Sequence, residues 1–295
     1  MIEEKNEKID KYFYTVYFIW GIWAQINNSV NVRIPFQSAI SSIANVFMIV
    51  SMFFCLLFLL IESNFRVPID KVICLVLFVF LILILTKNQS PLTFLATFSL
   101  IIVAGNFNFN NILKTYLHFT GLLLLLVISL YYLGKIPPAM IAGLNLRMRT
   151  SLGFSYYTYA SQLLFYFTLA YGVYKNRTIT YWELALLELA NLFVFYSTNT
   201  RNPFTLSTFF IICIFINKLV KDKFFSLELK PLKYIFMFIF PICFVSLVII
   251  TFYISANKFE EYNTLLSGRL WLNRLGIERW GIHVLGQKIA FNTFS

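Results

Sequence analysis

The residues best suited to binding chemistry in this 295-residue sequence are arginines near the ends of long apolar runs. Arg147 and Arg149 lie in GLNLRMRTSLGFSYY, Arg201 in YSTNTRNPF and Arg269 in LLSGRLWLNRLGIERW. The guanidinium group is a planar set of donors that grips phosphate or carboxylate in two places and keeps its charge when desolvated. A fixed cation beside a hydrocarbon boundary is costly without an anionic partner. The three segments therefore predict anion binding at a membrane surface.

These arginines differ in how well simple anchoring explains them. Arg147 and Arg149 also fit as anchors to lipid headgroups, whereas Arg201 lies in a short turn where anchoring is a poorer explanation. Arg269 follows Ser267 at a place where a helix is expected to begin, and anions favour the free N–H groups of such a helix end.

Other residues of the C-terminal segment have weaker claims. Glu278 is four residues from Arg274 and adjacent to Arg279, which favours ion pairs along a helix surface for these two arginines. His283 is a candidate contact to substrate, but a single histidine makes no metal site. The carboxylates available as a base on the same predicted side are Glu260, Glu261 and Glu278.

Composition places the arginines in a membrane protein. The sequence is 59% hydrophobic and 13% charged, which is more apolar surface than a soluble domain of this length can bury. Its apolar runs of 16 to 25 residues match a bilayer helix. The four cysteines all lie inside apolar runs, which favours small hydrophobic residues over a metal site or disulfides. No glycine-rich phosphate loop, Asp-x-Asp pair or Ser-His-Asp set is present, so no metal or cofactor is predicted.

Nine candidate spans position the arginines, and they predict an all-α, polytopic integral membrane protein. The spans cover about residues 12–26, 38–62, 70–87, 92–107, 112–133, 156–174, 182–199, 203–219 and 232–254. No linker or repeat divides the chain, so we expect a single membrane domain over residues 1–295, with an external amphipathic segment at 255–295.

The charges of the connecting loops set the expected orientation. With a cytoplasmic N-terminus, 13 cationic residues fall inside and 11 outside, of which 11 inside are lysines and 7 outside are arginines. The dense cluster NKLVKDKFFSLELKPLK is typical of a cytoplasmic loop. The N-terminus is therefore expected inside and the arginine segments outside.

The C-terminal segment at residues 265–289 is expected to be a helix or broken helix on the outer membrane surface. Arg269, Arg274 and Arg279 interrupt every stretch long enough to cross, and burying each charge would cost at least about 2.5 kcal/mol. Arg269 is then level with Arg201, so their guanidinium groups are expected within about 15 Å of each other, around one diphosphate.

Three motifs resemble one family. RTSLGF before a span, TNTRNPF in a turn and LSGRLWLNRLGIERWGIHVLGQKI after a later span are similar to the Wzy-type polysaccharide polymerases, bacterial inner-membrane enzymes of O-antigen, capsule and exopolysaccharide assembly. The family commonly has a His-Pro-Asn-like trio where this sequence has Ser155, Tyr156 and Tyr157. It also continues past the Gly-Gln element into further spans, so a C-terminally shortened sequence is expected.

The resemblance implies block transfer of an oligosaccharide from a polyprenyl diphosphate to another lipid-linked repeat unit, on the outer face. It implies that Arg201 and Arg269 act catalytically by stabilising the diphosphate as its charge grows. Substrate binding is then assigned to Arg147, Arg149, Ser267 and His283. The implied partners are the lipid-linked oligosaccharide, membrane lipid, a flippase and a chain-length regulator, with no nucleic acid.

Two alternatives stay open. A glycan transferase resembling the O-antigen ligases would use a different acceptor. A flippase or transporter for lipid-linked sugars would need charges along a path through mid-membrane, where Glu188 is the main candidate, as a buried partner or a proton-handling group.

Overall fold

The computed structural model describes residues 2–32, 34–62, 91–137, 149–219, 230–253, 256–265 and 268–281. Within these ranges the chain forms ten α-helices and no strand, apart from one isolated β-bridge between Val30 and Phe154. The all-α fold class expected from the apolar runs is thus confirmed for the described part of the chain.

The helices divide between two compact units. The first unit contains α1 (Ile2–Ser29), α2 (Gln37–Glu62), α3 (Pro91–Ala104), α4 (Phe109–Tyr132), α5 (Tyr159–Lys175), α6 (Tyr181–Thr198) and α7 (Arg201–Leu219). The second unit contains α8 (Lys230–Tyr253), α9 (Ala256–Leu265) and α10 (Arg269–Trp280). That both units belong to one membrane domain stays a prediction.

Seven of the nine predicted spans coincide with helices whose ends lie within three residues of the expected positions. Helix α1 instead begins ten residues before the predicted span at 12–26. In its charged N-terminal turns Glu7 and Lys11, one turn apart, form a 2.8 Å ion pair, which adds a small stabilisation to the helix. The predicted span at 70–87 lies outside the described residues.

Three of the helices are long and apolar enough to cross a membrane: Gln37–Ile61, Phe109–Tyr132 and Arg201–Leu219. Two shorter apolar helical stretches are Leu92–Ala104 and Phe244–Tyr253. Helix α6 is long enough, but Glu183, Glu188 and Asn191 lower its hydropathy. The described residues therefore support a membrane protein with three candidate crossings, fewer than the nine expected.

In the first unit, α1 packs against α2 and α4, α2 against α3, and α5 against α4, α6 and α7. Close approach of α1 to α4 depends on Gly21, where an added Cβ would lie 2.7 Å from the Phe119 ring. A buried cluster that includes Val30, Leu124 and Leu164 joins the end of α1 to α4 and α5. This cluster forms the floor beneath the segment that contains Arg149.

Candidate functional site

The RTSLGF motif, residues 149–154, fixes the position of the chain directly after Arg149. Leu152 and Phe154 are almost fully buried, while Leu152 and Gly153 have φ angles of 52° and 88°. At Gly153 a side chain is excluded, because an added Cβ would lie 3.1 Å from Val127 and 3.2 Å from Tyr131. The motif therefore has a structural role. The sequence alone does not distinguish this role from a catalytic one.

Backbone hydrogen bonds join this segment to the end of α1. The Ser155 N–H donates to the Ser29 carbonyl at 2.7 Å, and the Asn31 N–H donates to the Gly153 carbonyl at 3.0 Å. The Ser155 hydroxyl donates to the same Ser29 carbonyl at 3.2 Å. The segment is therefore held at the C-terminal end of α1.

A second set of hydrogen bonds joins the segment to the end of α6. The N–H and the hydroxyl of Thr150 both donate to the Ser197 carbonyl, at 3.2 and 2.8 Å. Thr150 follows Arg149 directly, and Ser197 precedes Arg201 by four residues. Two of the arginine segments singled out in the sequence thus meet at one end of the first unit.

The turn before Arg201 is tight, as predicted. Asn199 ends α6 in the left-handed conformation, with φ 51°, and α7 begins at Arg201. The buried hydroxyls of Ser161, Thr198 and Thr200 form a closed set of mutual hydrogen bonds beneath this turn. These bonds give the first residue of α7 a fixed backbone position.

Arg149 stacks on an aromatic ring, and no acid pairs with it in the part of the chain that the structure describes. Its Cζ lies 4.6 Å from the centre of the Tyr157 ring, a cation–π contact. The Tyr156 hydroxyl donates to the Tyr157 hydroxyl at 3.0 Å, and this bond, together with burial, raises the pKa of Tyr156. The Arg149 Nε is shielded from solvent and has no hydrogen-bond partner within the described ranges. Tyr156 and Tyr157 are two of the three residues that stand where the Wzy-type polymerases commonly have a His-Pro-Asn-like trio.

Arg201 and Arg269 share one local position, the first residue of a helix. Both side chains are exposed, and neither helix has an acidic residue in its first turn. Among the described residues, no carboxylate lies within ion-pair distance of either guanidinium. A cation at the positive end of a helix is unfavourable unless an anion binds beside it.

The start of α10 is partly capped from within its own unit. The Asn263 side-chain oxygen accepts from the Trp271 N–H at 3.0 Å, and the Asn263 carbonyl accepts from the Gly268 N–H at 2.7 Å. The prediction that a helix begins at Arg269 is confirmed, but one of the free N–H groups expected there already has a partner.

Arg274 has the pairing expected of a surface helix. Its Nε donates to Glu278 at 3.0 Å, and its guanidinium lies 5.6 Å from the centre of the Phe259 ring. Both members of the ion pair are at least half exposed. The interpretation of this arginine as a paired surface residue is confirmed.

Helix α10 has 12 residues and so extends about 18 Å, too short for a bilayer core of about 30 Å. The described part of residues 265–289 is thus a helix and not a tenth span, while its place on a membrane surface stays a prediction. Arg201 belongs to the first unit and Arg269 to the second, so the shared clamp also stays a prediction. The remaining predicted site residues Arg147, Ser267 and His283 lie outside the described residues.

Glu188 forms contacts between α6 and α7. One carboxyl oxygen accepts from the Thr208 hydroxyl at 2.8 Å, and the other lies 3.4 Å from the Asn191 amide nitrogen. Asn191 is buried and also donates to the Phe204 carbonyl at 3.3 Å. Glu188 therefore has the partners that a polar residue among apolar helices requires.

A polar cavity of about 790 Å³ lies where the end of α1 meets the starts of α2 and α3. Sequence reasoning missed it, although amides and hydroxyls are dense in INNS and QSAISSIAN, at the ends of two predicted spans. Asn27 and Asn28, on its wall, precede Ser29, which is bonded to the segment of Arg149. Among the described residues no group of three or more His, Cys, Asp or Glu side chains is arranged to hold a metal.

Comparison with known proteins gives no match: no family model, no curated protein and no solved structure is significantly similar to this chain. The resemblance to the Wzy-type polymerases stays a prediction from the three short motifs. The functional argument therefore depends on the geometry of the site.

Proposed function

We propose that this protein is a membrane glycosyltransferase of the Wzy type, which joins polyprenyl-diphosphate-linked oligosaccharide units by block transfer on the outer face of the bacterial inner membrane. The observation that supports this most is the pair of hydrogen bonds from Thr150 to Ser197. They hold the segment of Arg149 against the turn before Arg201, and within the described ranges neither arginine is neutralised by an acid.

The reaction needs stabilisation of a leaving diphosphate. The acceptor hydroxyl oxygen bonds to the anomeric carbon while the bond from that carbon to the diphosphate breaks, and the diphosphate leaves with the electron pair. Its growing negative charge is stabilised by guanidinium groups, so the transition state gains more than the ground state. A base takes the hydroxyl proton, and Glu260, Glu261 and Glu278 are the candidates.

The proposal includes nine crossings with a cytoplasmic N-terminus. The distribution of arginines and lysines between the two ends of the first unit supports this orientation. The arginine segments lie at the end where α6 finishes and α7 begins, whereas Lys175 and Lys218 lie in the last turns of α5 and α7, at the opposite end. At that end Lys175 pairs with Glu183 at 2.9 Å, and Lys218 lies 5.0 Å from the centre of the Tyr181 ring. Lysines at one end and arginines at the other match the expected inside and outside loops.

Cysteine labelling tests this orientation. A cysteine at Asn202 is expected to react with an impermeant maleimide in intact cells, and a cysteine at Lys221 only after the membrane is opened. The reverse pattern would place the arginine site in the cytosol and exclude transfer on the outer face.

The central test compares two arginines in cells that depend on this protein for long polysaccharide. Arg201→Lys keeps the charge but loses the planar fork of donors, and we expect transfer to fall about 100-fold while membrane insertion is unchanged. Arg274→Lys is the matched control, since Arg274 already pairs with Glu278. Polysaccharide length on gels gives the readout, and equal losses in the two variants would contradict a specific role for Arg201.

A ligase-like transferase would use the same arginines, so only the acceptor separates it from a polymerase. Purified protein given lipid-linked repeat units alone forms longer chains if it is a polymerase, and forms none if it is a ligase. The flippase alternative has less support, because Glu188 is bonded to Thr208 and packs between α6 and α7.

A further inference from the structure

The polar cavity at the end of α1 has a lining that is unusual for a membrane protein. Eight of the ten described lining side chains end in an amide or a hydroxyl, and none of these ten is ionisable. A smaller apolar crevice of about 170 Å³ between α1 and α4, with Ile22 and Leu126 on its walls, lies on another face of α1. Of these two cavities along α1, only the larger one has a polar lining.

The four amides of the cavity are Asn27, Asn28, Gln37 and Asn45. Asn45 accepts from the Trp20 indole N–H at 3.1 Å and donates to the Thr93 hydroxyl at 2.9 Å. The Gln37 amide donates to the side-chain oxygen of Asn27 at 2.9 Å. These bonds hold Asn27, Gln37 and Asn45 in place before any ligand binds, which lowers the entropy cost of binding.

Unused hydrogen-bonding capacity also lines the cavity. The Ser41 hydroxyl oxygen is shielded from solvent and has no partner among the described residues. A ligand in the cavity would contact this hydroxyl only after rotation of the Ser41 side chain. Ser42 is exposed at the same wall, and Phe36 presents a ring that is 83% exposed.

The chemistry of this lining selects one class of ligand. An acyl or isoprenyl chain would offer no hydrogen-bond partner to the amide and hydroxyl groups that remain available, and a phosphate would require a cation, which is absent from the ten described lining residues. Amides and hydroxyls both donate and accept, as sugar hydroxyls do, and an exposed aromatic ring suits the apolar face of a pyranose. The volume is within the range of sites for small organic ligands, about 300–1,000 Å³.

We infer that this cavity binds uncharged sugar residues, and that it holds the glycan of the substrate whose diphosphate the arginines bind. The assignment to that substrate rests on the proposed function, whereas the preference for neutral sugars rests on the lining alone. Asn28 adjoins Ser29, whose carbonyl is bonded to Ser155 of the arginine segment. A molecule with its charge near Arg149 thus has its neutral part within reach of the cavity.

The binding test uses neutral trisaccharides (maltotriose, cellotriose, chitotriose and a fucosylated lactose) with the full chain in nanodiscs, because glycoside detergents would compete. Saturation-transfer NMR is expected to detect at least one sugar on the wild-type protein. Ser41→Trp narrows the cavity, and Ser42→Phe adds bulk at an exposed position on the same wall. Both are expected to lower binding at least about tenfold. Ile43→Trp, on an exposed face of the same helix, is the matched control.

The outcomes separate the two proposals. Sugar binding that Arg149→Lys and Arg201→Lys leave unchanged supports a glycan site distinct from the arginines. If no trisaccharide binds, or if Ile43→Trp removes binding as much as Ser41→Trp, the cavity inference is wrong. Wild-type transfer by Ser42→Phe overturns the inference and leaves the proposed transferase intact, whereas sugar binding without any transfer overturns only the transferase. Native mass spectrometry of a phospholipid that Ser41→Trp displaces and Ile43→Trp retains would also overturn the inference.

Discussion

The two arginine regions of this chain differ in the partners of their guanidinium groups. In α10, Arg274 lies on an exposed surface and pairs with Glu278 one turn away. Beside the α6–α7 turn, Arg149 is partly buried and stacks on Tyr157, with a shielded nitrogen that has no partner among the described residues. The first arrangement completes its interactions within one helix, and the second leaves one shielded donor without a partner among the described residues.

The difference shows that arginine content alone does not identify a binding site. Spacing along one helix was sufficient to predict the pair in α10, because residues four apart face each other. The other region depends on chain segments that are far apart in sequence, and its unsatisfied donor becomes evident only when those segments are brought together.

The largest effect is expected from removing both guanidinium forks of the first region. Arg149→Lys and Arg201→Lys should each lower transfer about 100-fold. If both residues bind one diphosphate, the transfer rate of the double variant should be only slightly lower than that of either single variant. The reason is that the first substitution has already weakened the binding to which the second arginine contributes. Transfer rates with purified lipid-linked repeat units measure this. A fully additive loss of about 10,000-fold would show that the two arginines act at separate places.

A smaller effect should follow from disturbing the buried hydroxyls beneath the turn. Thr200→Val leaves Ser161 and Thr198 without one partner each, and we expect a loss of about 1–3 kcal/mol in unfolding free energy with reduced transfer. Thermal unfolding in nanodiscs measures it. The control is Thr264→Val, an exposed threonine of α9 that bonds only to its own helix. Similar destabilisation by both changes would show that the turn has no special rigidity.

The cap of α10 distinguishes a structural from a catalytic role for the second region. Asn263→Ala removes the side-chain acceptor of the Trp271 N–H and should cost about 1 kcal/mol of stability. If Arg269 is part of the diphosphate clamp, transfer should fall as well, because the first turn of α10 loses its fixed position. If the Asn263→Ala protein is fully folded and transfer is unchanged, Arg269 is not part of the diphosphate clamp, and only the arginines of the first region bind the diphosphate.

The smallest effect is expected at the exposed ion pair. Glu278→Gln should change stability by no more than about 0.5 kcal/mol, because surface pairs of this kind contribute little. Transfer should be unaffected, since this carboxylate already accepts from Arg274. A pronounced loss of transfer would instead identify Glu278 as the base and direct attention away from Glu260 and Glu261.

Local patterns predicted the helices and their ends well. Apolar runs set the limits of α2 to α8 to within three residues, and the Thr180–Glu183 spacing matches the capping box that starts α6. The number of crossings was less predictable, because Glu188 and Asn191 make α6 too polar by composition although they bond to α7.

The site itself was only partly predictable. Arg149 and Arg201 were selected by residue type, but nothing local indicates that Thr150 would bond to Ser197. The polar cavity draws on helix ends separated by more than sixty residues, such as Asn28 and Thr93. Such contacts arise from tertiary packing, which a single sequence does not encode in any short window.

The β-bridge between Val30 and Phe154 has a consequence for biosynthesis. Helix α1 leaves the ribosome long before Phe154 is made, so its C-terminal end must wait for the partner that completes its backbone hydrogen bonds. Three of the described helices of the first unit, α2 to α4, are synthesised during this interval. Until residues 153–155 are made, the Ser29 carbonyl and the Asn31 N–H lack these partners, so chains released earlier expose unpaired polar backbone at the end of α1.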